Sequence, residues 1–155
     1  MANEKTKEKR KIVLASGVFD LLHLGHVRFL EEAKKAGGRN AELIVIVARD
    51  NTVEKRKGKK PIMPENQRRA LVESLRVVDE AVLGYEKFDI GKVIEKIKPD
   101  IIVVGYDQDG MEKSVRGYVE KRGLKIKIVK IGKFGEDELD SSSKIKQKII
   151  EDFKR

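Results

Sequence analysis

The chain has 155 residues, a length typical of one domain. Its lack of cysteine excludes disulfides, thiolate nucleophiles and metal sites built from Cys. The formal net charge of +9 favours a phosphate-bearing partner, but with 5% aromatic residues a base-stacking surface for nucleic acid is poorly supported. No run of eighteen apolar residues and no apolar leader is present, which predicts a cytoplasmic protein that does not bind membranes.

The first eleven residues carry five Lys or Arg side chains against two Glu, and they contain no apolar anchor beyond the first two positions. Such a segment cannot bury enough apolar surface to offset the entropy of ordering it. We therefore expect residues 1–11 to form a disordered basic tail and residues 12–155 to form one domain.

Five short apolar runs, rich in β-branched residues, predict five strands. They occupy residues 12–15, 43–47, 81–83, 101–104 and 126–131. In the last run apolar residues alternate with lysine, which indicates a half-exposed edge strand.

Amphipathic stretches with helix start and stop signals alternate with these strands. They predict helices at residues 27–36, 65–75, 89–98, 112–121 and 143–153. Because parallel strands joined by helices follow right-handed crossovers, the pattern predicts an α/β fold, a Rossmann-like parallel sheet of about five strands flanked by helices. Ligands of such sheets bind at the carboxyl ends of the strands, where the strand order reverses.

The loop after the first strand contains both histidines of the protein, in the tetrapeptide His23-Leu24-Gly25-His26. This loop runs into a helix, whose N-terminal amides favour a phosphate, and Gly25 would let a ligand approach the backbone. A helix cap, a packed side chain or half of a metal site are the alternatives. A metal site needs more ligands than two imidazoles, and the chain has no Cys and no third His.

Residues 17–26, GVFDLLHLGH, resemble the (G/T)xFDxxHxGH signature of the cytidylyltransferase-like nucleotidylyltransferases. Val18 stands where many members carry Thr, which removes a hydroxyl but leaves the backbone. Further segments resemble the motifs of that family in the same order: ARD at 48–50 with KRKGK at 55–59, PENQR at 64–68, RVVDE at 76–80, VGYDQ at 104–108 and SSSKI at 141–145.

Within this family, residues 45–68, 78–84 and 98–109 are most similar to the archaeal FAD synthases. The resemblance implies transfer of the adenylyl group of ATP to FMN, with release of pyrophosphate. Residues 135–140 lack the cysteines that those enzymes often carry. The alternative enzyme is a CTP-dependent glycerol-3-phosphate cytidylyltransferase or another small-molecule nucleotidylyltransferase of the same superfamily. A basic nucleic-acid-binding module is the alternative outside enzymes. A dinucleotide-dependent oxidoreductase would need a G-x-G-x-x-G turn, which residues 17–25 do not supply.

The resemblance also implies roles for individual residues. His23, His26 and Lys57 are the expected catalytic residues, with His26 at the α-phosphate. Further nucleotide contacts are expected from Val18, Phe19, Leu24, Gly25, Asp107, Ser141 and Ser142. The acceptor or its phosphate is expected to meet Asp50, Lys59, Arg68 and Phe134.

Each of these roles has a plainer alternative. The KRKGKK run is equally typical of a solvated surface loop, Arg68 of a surface ion pair with Glu65, and the serines of helix capping. Asp107 is also typical of a turn. Tyr85, Phe88, Tyr106 and Phe134 are candidates to stack on a flavin ring, or else simply pack.

The acceptor in this reaction is a phosphate monoester, an anionic nucleophile at neutral pH, so the enzyme needs no nucleophilic side chain of its own. Mg²⁺ or another divalent cation is expected on the triphosphate, held by phosphate oxygens and water rather than by a protein cage. The resemblance also allows a homodimer.

Overall fold

A computed structural model describes residues 10–133 and 139–154, which contain five strands joined by helices, six in all, with two consecutive helices between the second and third strands. The strands are β1 Ile12–Gly17, β2 Glu42–Val47, β3 Glu80–Leu83, β4 Ile101–Gly105 and β5 Lys127–Ile131. The helices are α1 Leu24–Ala36, α2 Asp50–Lys57, α3 Glu65–Glu73, α4 Ile90–Ile97, α5 Asp109–Arg122 and α6 Ser142–Asp152. Phe134 and most of the predicted basic tail lie outside the described residues.

The strands form one parallel sheet in the order β3-β2-β1-β4-β5, so the predicted α/β class is confirmed and β5 lies at an edge. The strand order reverses between β1 and β4. β1 pairs with β2 along its whole length, from Ile12 to Gly17, but its register with β4 stops at the pair Leu14 and Ile102. The sheet therefore opens at the carboxyl ends of β1 and β4, where an α/β sheet binds its ligands.

Both faces of the sheet are buried, which explains why the strand sequences read as continuous apolar runs. On one face Val13, Val45 and Val103 pack against α1 and α3; on the other, Leu14 and Ile46 pack against α4 and α5. None of the helices among the described residues is long and apolar enough to cross a membrane.

The sequence-based prediction missed α2 and placed its basic residues in a flexible loop. The helix buries only Val53, so no apolar periodicity marks it in the sequence. It ends at Gly58, whose φ of 80° lies in the left-handed region that favours glycine. Lys57 is thus the last residue of a helix. α1 also begins earlier than predicted, at Leu24, which places His26 in its first turn.

Candidate active site

A cavity of about 550 Å³ lies at the carboxyl ends of the strands, over the opening between β1 and β4. Ten of the predicted site residues line it: Val18, Phe19, His23, Gly25, His26, Lys57, Lys59, Asp107, Ser141 and Ser142. Leu24, Asp50 and Arg68 do not line it. The tertiary fold therefore gathers most of the predicted residues, from four separate segments, around one space.

The loop between β1 and α1 has an unusual backbone. Phe19 and Leu21 have φ angles of 54° and 53°, a left-handed conformation that costs non-glycine residues free energy. Burial of the Phe19 ring helps to hold this shape. The ring lies over Gly17, where an added Cβ would stand 2.9 Å from Phe19 Cε2, so position 17 has no room for a side chain.

Asp20 joins this loop to two other segments. Its buried carboxylate accepts hydrogen bonds from the backbone N–H groups of Ile62 (2.8 Å) and Met63 (2.9 Å). Its backbone carbonyl accepts a hydrogen bond from Ser142 Oγ. The sequence-based prediction gave Asp20 no role, although an acidic residue inside the signature was the available signal. We conclude that Asp20 fixes the walls of the cavity relative to one another.

The two imidazole rings stack on each other, with centroids 3.7 Å apart and planes inclined by 25°. The backbone N–H of His23 donates to His26 Nδ1 at 3.2 Å. Because Nδ1 accepts this bond, the proton of a neutral His26 ring is on Nε2. Burial, reinforced by the neighbouring His23 ring and opposed by Asp20, lowers the pKa of His26 to about 3. His26 is therefore a neutral Nε2–H donor at physiological pH.

His23 is the N-cap residue of α1. Burial lowers the pKa of His23 below its usual value, while the charge of Asp140 opposes that shift. Gly25 lies between these two residues: an added Cβ there would stand 2.7 Å from the Asp140 carbonyl oxygen and 2.9 Å from His23 Cε1. Position 25 therefore has no room for a side chain on this side, and the approach of a ligand to the Gly25 backbone stays a prediction.

The wall of the cavity is strongly basic. Its Lys and Arg residues are Arg49, Arg56, Lys57, Lys59, Lys60, Lys133 and Lys146. The carboxylates in the same lining are Asp20, Asp107 and Asp140; backbone amides bind Asp20, and Lys144 pairs with Asp140. The balance suits a ligand with several phosphates. Arg56 and Lys60 lie in the predicted basic run, whereas no signal in the sequence marked Lys133 or Lys146.

The prediction that Arg68 binds a phosphate is wrong, as is the alternative of a surface ion pair with Glu65. The Arg68 side chain is fully buried and donates to the carbonyls of Met63, Val18 and Ala48 and to Asp50 Oδ1 at 2.7 Å. Its acceptors belong to three different loops, so the guanidinium holds the frame of the cavity together.

Asp50 and Leu24 are also placed differently from the prediction. Asp50 pairs with Arg68, and its second oxygen lies 3.4 Å from the backbone N of Glu65, so its carboxylate is engaged inside the protein. Glu65 in turn pairs with Arg49 at 3.1 Å. Leu24 is 46% exposed and points to no part of the cavity lining.

Gln108, which the prediction did not include, bridges the opening between β1 and β4. Its Nε2 donates to the Ser16 carbonyl at 3.0 Å, and its Oε1 accepts from the Gly105 N–H at 2.8 Å. These side-chain bonds join β1 to β4 beyond Leu14 and Ile102, where the backbone pairing of the two strands ends. They fix the loop that carries Asp107.

Three of the four aromatic candidates line the same cavity. Tyr85 and Phe88 follow β3, and Tyr106 follows β4; they are 38%, 49% and 48% exposed. Arg49 Nε donates to the Gly84 carbonyl at 2.6 Å, which ties the end of β3 to the start of α2. The β3 and β4 ends of the cavity therefore both carry accessible rings.

Comparison with known proteins agrees with this geometry. The cytidylyltransferase-like family model matches residues 14–148. A protein of Aciduliprofundum boonei named FAD synthase is 52% identical over 90% of each chain. A protein of the same name from Ferroglobus placidus is 54% identical over 90% of this chain and 88% of its own.

A solved structure from Thermoplasma volcanium, titled as a lipopolysaccharide core biosynthesis protein, is 48% identical. It superposes with a TM-score of 0.72 over 81% of this chain and 98% of that one. Because the family model covers most of the chain and the relatives match it over nearly their whole length, the chain belongs to the cytidylyltransferase-like family and is a nucleotidyltransferase enzyme.

Proposed function

We propose that the protein is an FAD synthase, which transfers the adenylyl group of ATP to the phosphate of FMN and releases pyrophosphate. The main support for the proposal is the stacked histidine pair, which lines a basic cavity over the opening between β1 and β4. The names of the relatives at about half identity support the flavin acceptor.

In this proposal the nucleotide lies at the β1 and β4 side of the cavity. His26 donates its Nε2 proton to an oxygen of the α-phosphate, and Asp107 contacts the sugar or base. The backbone of Val18, Phe19 and Gly25 lies along the nucleotide. Leu24 has no side-chain part in it, since that side chain is outside the lining.

The remaining phosphates meet the start of α6 and the basic wall. The hydroxyl of Ser141 already caps α6 by accepting from the Lys144 N–H at 3.2 Å, so Ser141 and Ser142 contribute chiefly helix N-terminal amides to the β- and γ-phosphates. Lys57 and Lys59 approach as point charges, which suits a triphosphate whose charge shifts toward the leaving pyrophosphate.

The FMN phosphate then attacks the α-phosphorus from the side opposite the departing pyrophosphate. In-line displacement requires this opposite approach. We assign the flavin ring of FMN to the part of the cavity beside the end of β3. Tyr85 and Phe88 offer exposed rings there for the isoalloxazine system. No side chain has to act as a nucleophile, because the acceptor brings its own oxygen.

A divalent cation, Mg²⁺ or a similar ion, belongs to the triphosphate in this proposal. Among the described residues no group of three acidic or histidine side chains is placed to hold a metal ion. We expect the cation to be coordinated by phosphate oxygens and water. The metal would neutralise charge on the phosphates and orient them.

The proposal includes a cytoplasmic enzyme whose partners are ATP and FMN, with neither nucleic acid nor membrane as a ligand. The cations named above line one cavity, which favours small phosphorylated substrates. A homodimer is part of the same proposal, as the state expected from the family resemblance.

The test is an incubation of the full-length protein with FMN, Mg²⁺ and either ATP or CTP, followed by measurement of pyrophosphate and FAD. We expect FAD only with ATP. A matched incubation with glycerol 3-phosphate and CTP examines the alternative enzyme. Pyrophosphate release in that mixture alone would contradict the proposal.

A further inference from the structure

Two buried polar atoms beside the first helix have no hydrogen-bond partner in the described part of the chain: His23 Nδ1 and Asp140 Oδ2. Both residues line the cavity. The Asp140 side chain is 3% exposed, and its other oxygen, Oδ1, accepts from Lys144 Nζ at 2.7 Å. A buried atom without a partner costs free energy, so this pair of unpartnered atoms calls for an explanation.

The two residues lie on either side of Gly25. The point where a Gly25 Cβ would stand is 3.0 Å from His23 Nδ1 and 2.7 Å from the carbonyl oxygen of Asp140. Because residue 25 has no side chain, the segment before α6 can approach the His23 ring closely. The same approach brings the Asp140 charge near enough to oppose the effect of burial on the pKa of His23.

His23 and His26 therefore have different partners. His26 Nδ1 is already committed to the backbone N–H of His23. His23 Nδ1 has no such bond, and the nearest described charge that acts on the ring is that of Asp140, whose Oδ2 also has no partner among the described residues. An imidazole whose Nδ1–H is held by a carboxylate presents Nε2–H to a ligand, and the carboxylate stabilises the doubly protonated ring.

We propose that Asp140 is a positioning residue that holds His23 as an imidazolium against the triphosphate. Oδ2 accepts a hydrogen bond from Nδ1–H, and Nε2–H donates to a phosphate oxygen. The additional proton comes from solvent when the anionic nucleotide binds and returns to solvent when it leaves. The inference rests on the proposed nucleotide site, and it gives the two histidines different charges in the bound state.

The other charges around the ring are consistent with this assignment. His26 stacks on His23 from within α1 and is neutral, since burial lowers its pKa to about 3. Lys144, from α6, and Lys133, from the segment after β5, lower the pKa of Asp140 and keep it ionised. Asp20 acts on His26.

The protein has two histidines, so imidazole NMR resonances of the full-length chain can be followed one ring at a time. The probe is α,β-methylene ATP with Mg²⁺, which binds without reacting. In the wild type we expect the probe to raise the pKa of His23 and to produce an Nδ1–H resonance. In Asp140→Asn we expect the pKa of bound His23 to fall by about one unit or more, the usual effect of losing an adjacent opposite charge.

Lys144→Gln is the matched control, because it removes the ion pair at Oδ1 but keeps the carboxylate. We expect His23 in this variant to titrate at or above its wild-type pKa. Equal downward shifts in both variants would mean that Asp140 only anchors α6 and would overturn the proposal. An unchanged His23 pKa in Asp140→Asn would overturn it as well.

Steady-state kinetics provide a second test of the role of Asp140. We expect Asp140→Asn to raise the KM for ATP by about tenfold, the equivalent of one pKa unit, and to move the alkaline fall of kcat/KM to lower pH. Should Asp140→Asn fail to fold, the wild-type Nδ1–H resonance decides, since its absence with bound probe contradicts the proposal. Turnover of the wild type tests the proposed function separately. If the wild type formed no FAD, the proposed acceptor would be rejected, but the titration of His23 with the bound probe would still test the role of Asp140.

Discussion

Two regions of the cavity carry the groups that we propose to bind phosphate, and the two regions are built in opposite ways. The signature loop, residues 17–26, is held by a buried carboxylate, stacked rings and two left-handed residues. The lysine segment, residues 57–61, carries Lys57, Lys59 and Lys60 as exposed side chains that form no ion pair with the described residues. The first region is rigid because its groups bond to one another, and the second supplies charge that is free to adapt.

The contrast matches the chemistry required. A transition state at the α-phosphorus needs a donor that is already aligned, because reorganisation during the reaction would raise the barrier. Charge on the departing pyrophosphate needs only neutralisation, which a long lysine side chain supplies from a range of positions. We therefore expect substitutions in the rigid frame to have larger effects than substitutions in the lysine segment.

The largest effect is expected for Arg68→Met, which removes the buried guanidinium that joins three loops. Losing one partner of a buried ion pair leaves its other groups unsatisfied and costs about 3–5 kcal/mol of unfolding free energy. Urea titration measures this loss. Arg116→Met is the control: the Arg116 side chain is 52% exposed and pairs with Glu112 one helical turn away, so the expected loss is about 0.3–0.5 kcal/mol. Similar losses in both variants would contradict the role of Arg68 as the frame.

His26→Ala removes the fixed Nε2 donor of the signature loop. We expect kcat for FAD formation to fall by about 10²–10³-fold, the usual result of deleting one donor to a transition state. The affinity for ATP should change much less, because the basic wall remains. Turnover near that of the wild type, in a variant with an unchanged circular dichroism spectrum, would rule out this role.

The buried His26 ring also makes stability depend on pH. Its folded pKa of about 3 lies below the ordinary value of 6.5, so the unfolded chain binds the proton more tightly. The stabilisation is complete above pH 6.5 and is lost as the pH falls toward 3. Between pH 7 and 5 we expect the wild type to lose about 2 kcal/mol more unfolding free energy than His26→Gln. Parallel losses in urea titrations of the two proteins would contradict this prediction.

The smallest effect is expected in the lysine segment. Lys57→Ala should raise the KM for ATP or lower kcat several-fold, about 1 kcal/mol, because neighbouring cations compensate in part. Lys55→Ala is the matched control: it lies on the same helix but outside the cavity lining, and it should have no effect. Steady-state kinetics with both variants will show whether the place of Lys57 in the cavity matters or only its contribution to the net charge. Equal effects of the two substitutions would favour the alternative that the basic run is simply a solvated surface.

Motifs carried by local sequence were predicted well. The strands were found because burial on both faces demands continuous apolar runs, and β5 was placed at an edge by its alternating lysines. Both histidines were assigned to the cavity because the end of a strand, a glycine and a helix start coincide in a few residues. Helix α2 was missed because a helix with a single buried residue has no apolar period to read.

Long-range partners were decided by the tertiary structure alone. Arg68 looks like a surface residue in the sequence, and only the convergence of three loops on its side chain reveals that it is buried. Asp20 with Ile62 and Met63, Gln108 with Ser16, and Asp140 beside His23 likewise join residues far apart in the chain. The sequence by itself determined the fold class, the family resemblance and the histidine loop that lines the cavity. The fold decided which polar groups support that loop, because hydrogen-bond satisfaction inside a protein depends on neighbours in space.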